Sequence, residues 1–299
     1  MAEIEPGRIA YAVCPLCGDA AILDLHQADC TRHLLYQAAL PPTISWCRCH
    51  GCGHVFAEGY FNPSAEALLF AATPPGQETG EDVERQRALW AEVVERVTAH
   101  LDRPPVRADA APARWLDVGF GNGSLVFTAA EWGYQPLGID LRASSVAKLQ
   151  ALGFEARRCD ILQVNEPGAF QVVSLADVIE HMPFPRPALA HAATLLAPRG
   201  LLFVSTPNMD TAVWKALDAQ QANPYWGELE HYHCFSRARL YALLHECGFE
   251  ALHYAVLEHS PRVLVLPGPE FTALLAERGD MAQAIIAELV RRMRGLMAG

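Results

Sequence analysis

Basic charge is what this sequence has least of. Its 23 Lys and Arg face 34 Asp and Glu, for a net charge of −11 and a pI near 5.5. No broad positive field is available to hold phosphate backbones or anionic lipid. Nucleic acid is therefore not an expected partner. Long apolar runs are missing as well: none approaches the roughly 18 residues a membrane span needs. The opening residues MAEIEPGR put acids and a proline where a signal peptide would carry a basic start and an apolar core. The expectation is a soluble, cytoplasmic protein without a membrane partner; its oligomeric state is not legible. Internal repeats and low-complexity tracts are also lacking. What is present is a chain of 299 residues, 51% hydrophobic, enough for one large core and one small one.

Nine cysteines, an odd number in a chain without an export signal, argue for thiols or metal ligands over a disulfide framework. Four of them form two C-x-x-C-G knuckles, Cys14-Pro15-Leu16-Cys17-Gly18 and Cys49-His50-Gly51-Cys52-Gly53. This spacing lets two thiolates share one ion, and the glycine permits the tight turn that aims backbone N–H groups at the sulfurs. The pattern is that of a zinc ribbon, with 31 residues between Cys17 and Cys49. Cys14, Cys17, Cys49 and Cys52 are the expected ligands, with Cys47, His50 and His54 as rivals. Four protein ligands would close the site and make the zinc structural. A redox role is the alternative, but neither pair opens a helix after a strand.

Residues 116–123, LDVGFGNG, read as a buried strand ending in a loop where Asp117 is followed by Gly119, Gly121 and Gly123. Bare backbone there can approach a ligand, and a helix starting at Ser124 would point its free N–H groups the same way. A dinucleotide fingerprint requires G-x-G-x-x-G or A, but Ser124 or Val126 occupies the last position. The Asp117-x-Gly119-x-Gly121-x-Gly123 pattern instead resembles motif I of the class I S-adenosylmethionine (SAM)-dependent methyltransferases. Further segments follow in that family's order: QPLGID ending at Asp140, FEARRCD ending at Asp160, the motif IV-like QVVSLADVIEHM at 171–182, and LLAPRGLLFVSTPN at 195–208.

The resemblance implies an α/β fold, a doubly wound Rossmann-like seven-stranded sheet, with SAM as cofactor. Asp140 would accept the ribose hydroxyls, and Asp160 the adenine amino group, with Leu141 and Ile161 beside them in the cofactor pocket. N-capping of the helix near Ala143 is the other reading of Asp140. Asp177 is placed in the cofactor pocket too, or it caps a short turn before His181. A ribbon ahead of a SAM fold is similar to a bacterial methyltransferase group with an N-terminal zinc-binding domain, some of whose members methylate sugar carbons.

The expected organisation is a zinc ribbon over 1–60, then a helical connector and linker over 61–113. A SAM-binding domain over 114–270 follows, with a cover insertion near 209–235, and the chain closes with a helix over 271–299. Within the connector, 82–101 reads as an amphipathic helix with Val83, Trp90, Val94, Val97 and Leu101 on one stripe. Strands are expected near 251–258 and 263–266. A hydroxyl, amine or carbon nucleophile needs its proton removed before it takes a methyl group. His181, just after motif IV, is the first candidate, and His231 and Tyr232 in the segment ELEHYH are the next. The expected function is methyl transfer to a small-molecule or glycan-type acceptor with histidine as general base. The alternative is a non-catalytic SAM-fold module working through its ribbon.

Overall fold

In the computed structural model, residues 6–73, 77–102, 105 and 111–255 are described. The chain opens with five short strands, β1 (Arg8–Ala10), β2 (Ile22–Asp29), β3 (Thr43–Cys49), β4 (Val55–Ala57) and β5 (Gly59–Phe61), followed by α1 (Pro63–Phe70) and α2 (Val83–Ala99). An α/β stretch follows: β6 (Arg114–Val118), α3 (Ser124–Glu131), β7 (Gln135–Asp140), α4 (Ala143–Ala151), β8 (Glu155–Arg158), β9 (Phe170–Ala176), α5 (Pro185–Leu195) and β10 (Leu196–Ser205). The last described elements are α6 (Ala212–Ala219), β11 (His233–Cys234) and α7 (Arg237–Glu246).

Five parallel strands form the central sheet in the order β10-β9-β6-β7-β8. The chain builds outward from β6 through β8 and returns to place β9 on the other side of β6. That reversal puts a crevice beyond the carboxyl ends of β6 and β9, the position where open α/β sheets bind ligands. Both faces are covered, as strand periodicity requires. Trp115 and Val172 pack on one face with Val94 of α2 and Leu125 of α3. Leu116, Val118, Val173 and Leu175 face the other side, where Leu189, Ala192 and Leu195 of α5 cover them. Leu116, Val173, Leu175 and Leu189 have no exposed surface, and each buried side chain of this size adds about 1.5–3 kcal/mol. Gly138 lets α4 come close, since a Cβ there would sit 2.8 Å from both Leu149 and Phe120.

Most of the stripe foreseen on α2 faces the core: Val94 is fully buried, with Trp90, Val97 and Leu101 partly buried around the same cluster, while Val83 is not in that cluster and Val93, outside the stripe, is buried as well. Of the strands expected after α7, residues 251–255 carry none, and the remainder lies outside the described residues, as does the C-terminal helix over 271–299.

The N-terminal strands make a second, antiparallel sheet in the order β11-β4-β3-β2, beside a small β1-β5 pair. Its strand β11 comes from far along the chain, with His233 opposite Phe56 and Cys234 opposite Val55. Of the stretch 209–235, residues 225–235 thus belong with the N-terminal sheet. Asp210–Pro224 belongs instead to a second unit. In that unit Thr211 caps α6 by accepting from Trp214 N–H, and Val213, Trp214 and Leu217 are its buried side chains.

Candidate active site

Three neighbouring strand ends carry the residues assigned to the cofactor. Register places Val118 beside Ile139 and Asp140 beside Arg158, so the loops after β6, β7 and β8 lie side by side along one sheet edge. In the first loop Gly119, Gly121 and Gly123 all adopt positive φ, at 64°, 54° and 83°. Gly121 is the informative one: a Cβ there would meet nothing within 4 Å, so its backbone faces open space and not a packed neighbour. The N-terminus of α3 opens directly behind it, where Asn122 Oδ1 accepts from Ser124 N–H at 3.1 Å.

Below the loop, Asp117 is 1% exposed. Its Oδ1 accepts from Ser174 Oγ at 2.6 Å, and Ser174 Oγ in turn accepts from Trp115 Nε1 at 2.8 Å. Burial pushes the Asp117 carboxyl up to about 7, assisted by the charge of Asp140. Asp140, at the end of β7, is also buried, and desolvation raises its pKa against the pull of nearby N–H groups. Its Oδ1 accepts from Arg142 N–H at 2.7 Å. The cap position of α4 is Arg142 and has no side-chain cap bond, so Asp140 is not the N-cap of that helix.

Asp160 lies at the third strand end. There it forms a capping box over the turn Ile161–Gln163, accepting from Leu162 N–H at 2.8 Å while Gln163 Oε1 accepts from Asp160 N–H at 2.9 Å. Ile161 is fully buried, whereas Leu141 is 41% exposed at the loop surface. Asp177, past the end of β9, takes a left-handed conformation with φ 54° and accepts from Ser205 Oγ at 3.0 Å.

The other side of the crevice is built by the turn Ile179–His181 and by residues 228–233. Ligand-capable atoms of Glu180, His181 and His231 lie within 4.8 Å of one another. The His181 and His231 rings meet edge to face with centroids 4.6 Å apart. His181 Nδ1 is 3.1 Å from the Glu230 carbonyl. A carbonyl only accepts, so in the neutral ring Nδ1 carries the proton and Nε2 is left as a lone pair. Glu180 is 1% exposed and its Oε2 has no hydrogen-bond partner. Burial, with the charges of Asp177 and Glu230 adding to it, holds this carboxyl well above the usual range, which favours the neutral acid. Glu180 was not among the sequence candidates, although an acid directly before His181 was the available signal. Tyr232 is oriented differently. Its hydroxyl accepts from Phe61 N–H at 3.3 Å within the N-terminal layer, and burial raises its pKa to about 12.

The four knuckle cysteines converge, with every pair of sulfurs within 4.8 Å. Cys14 and Cys52 are 3.7 Å apart and Cys17 and Cys49 3.5 Å. Tetrahedral zinc with Zn–S bonds of about 2.3 Å would set sulfurs about 3.8 Å apart, so the donor set fits that ion. Gly18 and Gly53 take positive φ at the knuckle turns. Cys47 lies outside this group, in β3 opposite Asp24 and Phe56. His54 pairs with His233, their ring nitrogens 2.9 Å apart.

A family described as "Methyltransferase domain" matches residues 83–254. The ubiquinone biosynthesis O-methyltransferase of Burkholderia multivorans is 39% identical over 109 residues, 34% of this chain and 47% of that protein. Its namesake from Xanthomonas euvesicatoria pv. vesicatoria is 34% identical over 122 residues, 38% of this chain and 51% of that protein. The chain thus spans about half the length of the curated relatives it matches. A solved structure of 1,6-didemethyltoxoflavin-N1-methyltransferase from Burkholderia thailandensis aligns at 19% identity with a TM-score of 0.45, over 67% of this chain and 86% of that one. Since the family match takes in β6 to α7 and more than half of the sequence, the chain belongs to the methyltransferase-domain family.

Proposed function

We propose that the protein transfers a methyl group from SAM to a small-molecule acceptor, with oxygen as the atom methylated. The observation that carries this reading is the sheet edge itself. An open glycine loop over a buried acid, Asp140 and Asp160 stand on adjacent strand ends, and an imidazole with a bare Nε2 stands across the crevice. SAM supplies an electrophilic methyl carbon when bound. The glycine loop and the N–H groups of α3 would hold it from below, Asp140 would take the ribose hydroxyls and Asp160 the adenine amino group. The choice of oxygen follows the names of the matched relatives, which are O-methyltransferases. A glycan-type acceptor finds no support among them.

His181 is the proposed proton acceptor. The Glu230 carbonyl fixes its ring through Nδ1, so Nε2 is the atom that takes the acceptor's hydroxyl proton. His231, packed edge to face against it, orients the ring. Tyr232 contributes shape through its buried ring and not a base, because its hydroxyl is engaged by Phe61 and a high pKa disfavours the phenolate. Cys14, Cys17, Cys49 and Cys52 are proposed to hold one structural zinc ion. Titration calorimetry with SAM and S-adenosylhomocysteine tests the cofactor assignment, and a screen of hydroxylated aromatic compounds with methyl-labelled SAM tests the reaction. Failure to bind SAM would remove the reading altogether; label recovered on nitrogen or carbon would correct the atom methylated.

A further inference from the structure

The segment that follows β9 carries the proposed base, and three of its carbonyls, those of Glu180, Met182 and Pro183, are engaged by side chains or backbone of the N-terminal layer and β11. Tyr232 N–H donates to the Glu180 carbonyl at 2.8 Å, and Tyr11 Oη donates to the Pro183 carbonyl at 2.7 Å. Between these two contacts runs a buried relay of two imidazoles. His233 Nε2 lies 2.9 Å from the Met182 carbonyl, and His233 Nδ1 lies 2.9 Å from His54 Nε2. Both rings are almost fully buried, at 1% exposure for His54 and 2% for His233. The backbone of His54 is itself tied to the second cysteine knuckle, where Cys49 N–H donates to the His54 carbonyl at 2.9 Å.

Proton positions follow along this relay. The Met182 carbonyl can only accept, so His233 Nε2 carries a hydrogen; in a neutral ring Nδ1 is then an acceptor, and His54 Nε2 must donate to it. His54 Nδ1 is left as a buried lone pair with no hydrogen-bond partner. Burial disfavours a second proton on the His233 ring. Two apolar side chains would fill the same volume without that unsatisfied atom, so simple packing does not account for the pair.

We propose that His54 and His233 are positioning residues that set the Met182 carbonyl and thereby the ring of His181, making the cysteine-bearing N-terminal layer part of the acceptor side of the active site. The proposal rests on the reading of His181 as the proton acceptor, but its test requires neither acceptor nor turnover. Long-range proton–nitrogen NMR on histidine-labelled, zinc-loaded full-length protein reports the tautomer of each ring, with signals assigned by single substitutions. In the native protein, His54 and His233 are expected as Nε2–H tautomers and His181 as Nδ1–H. Any other tautomer at His54 or His233 overturns the relay, and this measurement needs no variant to fold. His233→Phe keeps a ring but removes the donor. It is expected to turn His181 into a tautomer mixture and to speed amide exchange over 177–187 by at least about tenfold, while exchange over 116–126 and SAM affinity stay unchanged. His233→Gln keeps a donor for Met182 and is expected to restore both signals. An unaltered His181 in the phenylalanine variant, or equal behaviour of the two variants, would show that the pair only fills space.

Discussion

Replacing Asp117 by asparagine isolates the energy stored in the buried acid behind the glycine loop. In the folded protein this carboxyl titrates near 7, mainly because burial removes it from water; in the unfolded chain it titrates near 3.8. Between those two values the folded state retains a proton that the unfolded state has released, so stability falls as pH rises, and the loss is complete above about pH 7. At about 1.36 kcal/mol per pH unit, the penalty is about 2 kcal/mol at pH 5.5 and about 4 kcal/mol at pH 8. Asparagine keeps an oxygen to accept from Ser174 Oγ and carries no charge at any pH. Its own amide adds an offset of about 1–3 kcal/mol if left unsatisfied, but that offset does not change with pH. The diagnostic quantity is therefore the slope: relative to the native protein, Asp117→Asn is expected to gain about 2 kcal/mol between pH 5.5 and pH 8 and nothing more above it. Urea denaturation of the zinc-loaded, cofactor-free protein at four pH values measures this directly. A difference that stays constant over that range would show that Asp117 is ionised in the fold and would refute the argument.

Three further outcomes follow from the same geometry. His181→Ala is expected to lower turnover by roughly 10²- to 10⁴-fold while calorimetric SAM affinity stays within about threefold, because only the acceptor's proton depends on it; loss of SAM binding would move His181 into the cofactor pocket. Asp140→Ala is expected to weaken SAM by about 1–3 kcal/mol through the unpaired ribose hydroxyls, and an unchanged dissociation constant would take Asp140 out of the site. The native protein is expected to carry one zinc per chain by elemental analysis, and Cys14→Ser with Cys49→Ser to lose it together with folding stability; full zinc retention in the double variant would point to other ligands.

Features encoded by short-range spacing were legible before any coordinates. A C-x-x-C-G knuckle is a local geometry, so Cys14, Cys17, Cys49 and Cys52 could be picked out against Cys47, and the structure brings those four sulfurs together. The glycine loop, the acid that closes β7, the acid two residues after β8 and the stripe of α2 are likewise written within a few residues of themselves. The neutral state favoured at Glu180 and the orientation of Tyr232 were not. Nor was the pairing of His54 with His233, which are 179 positions apart. The amino-acid sequence by itself determined the parallel α/β order, the glycine loop and the cysteine knuckles, because each arises from backbone periodicity or from side chains spaced to share one turn. Tertiary structure alone decided that β11 joins the N-terminal sheet, that carbonyls of the chain after β9 are engaged from that side, and that the Glu180 carboxyl is buried where its neutral form is favoured. Desolvation and hydrogen-bond partnership depend on segments that meet only once the chain has folded.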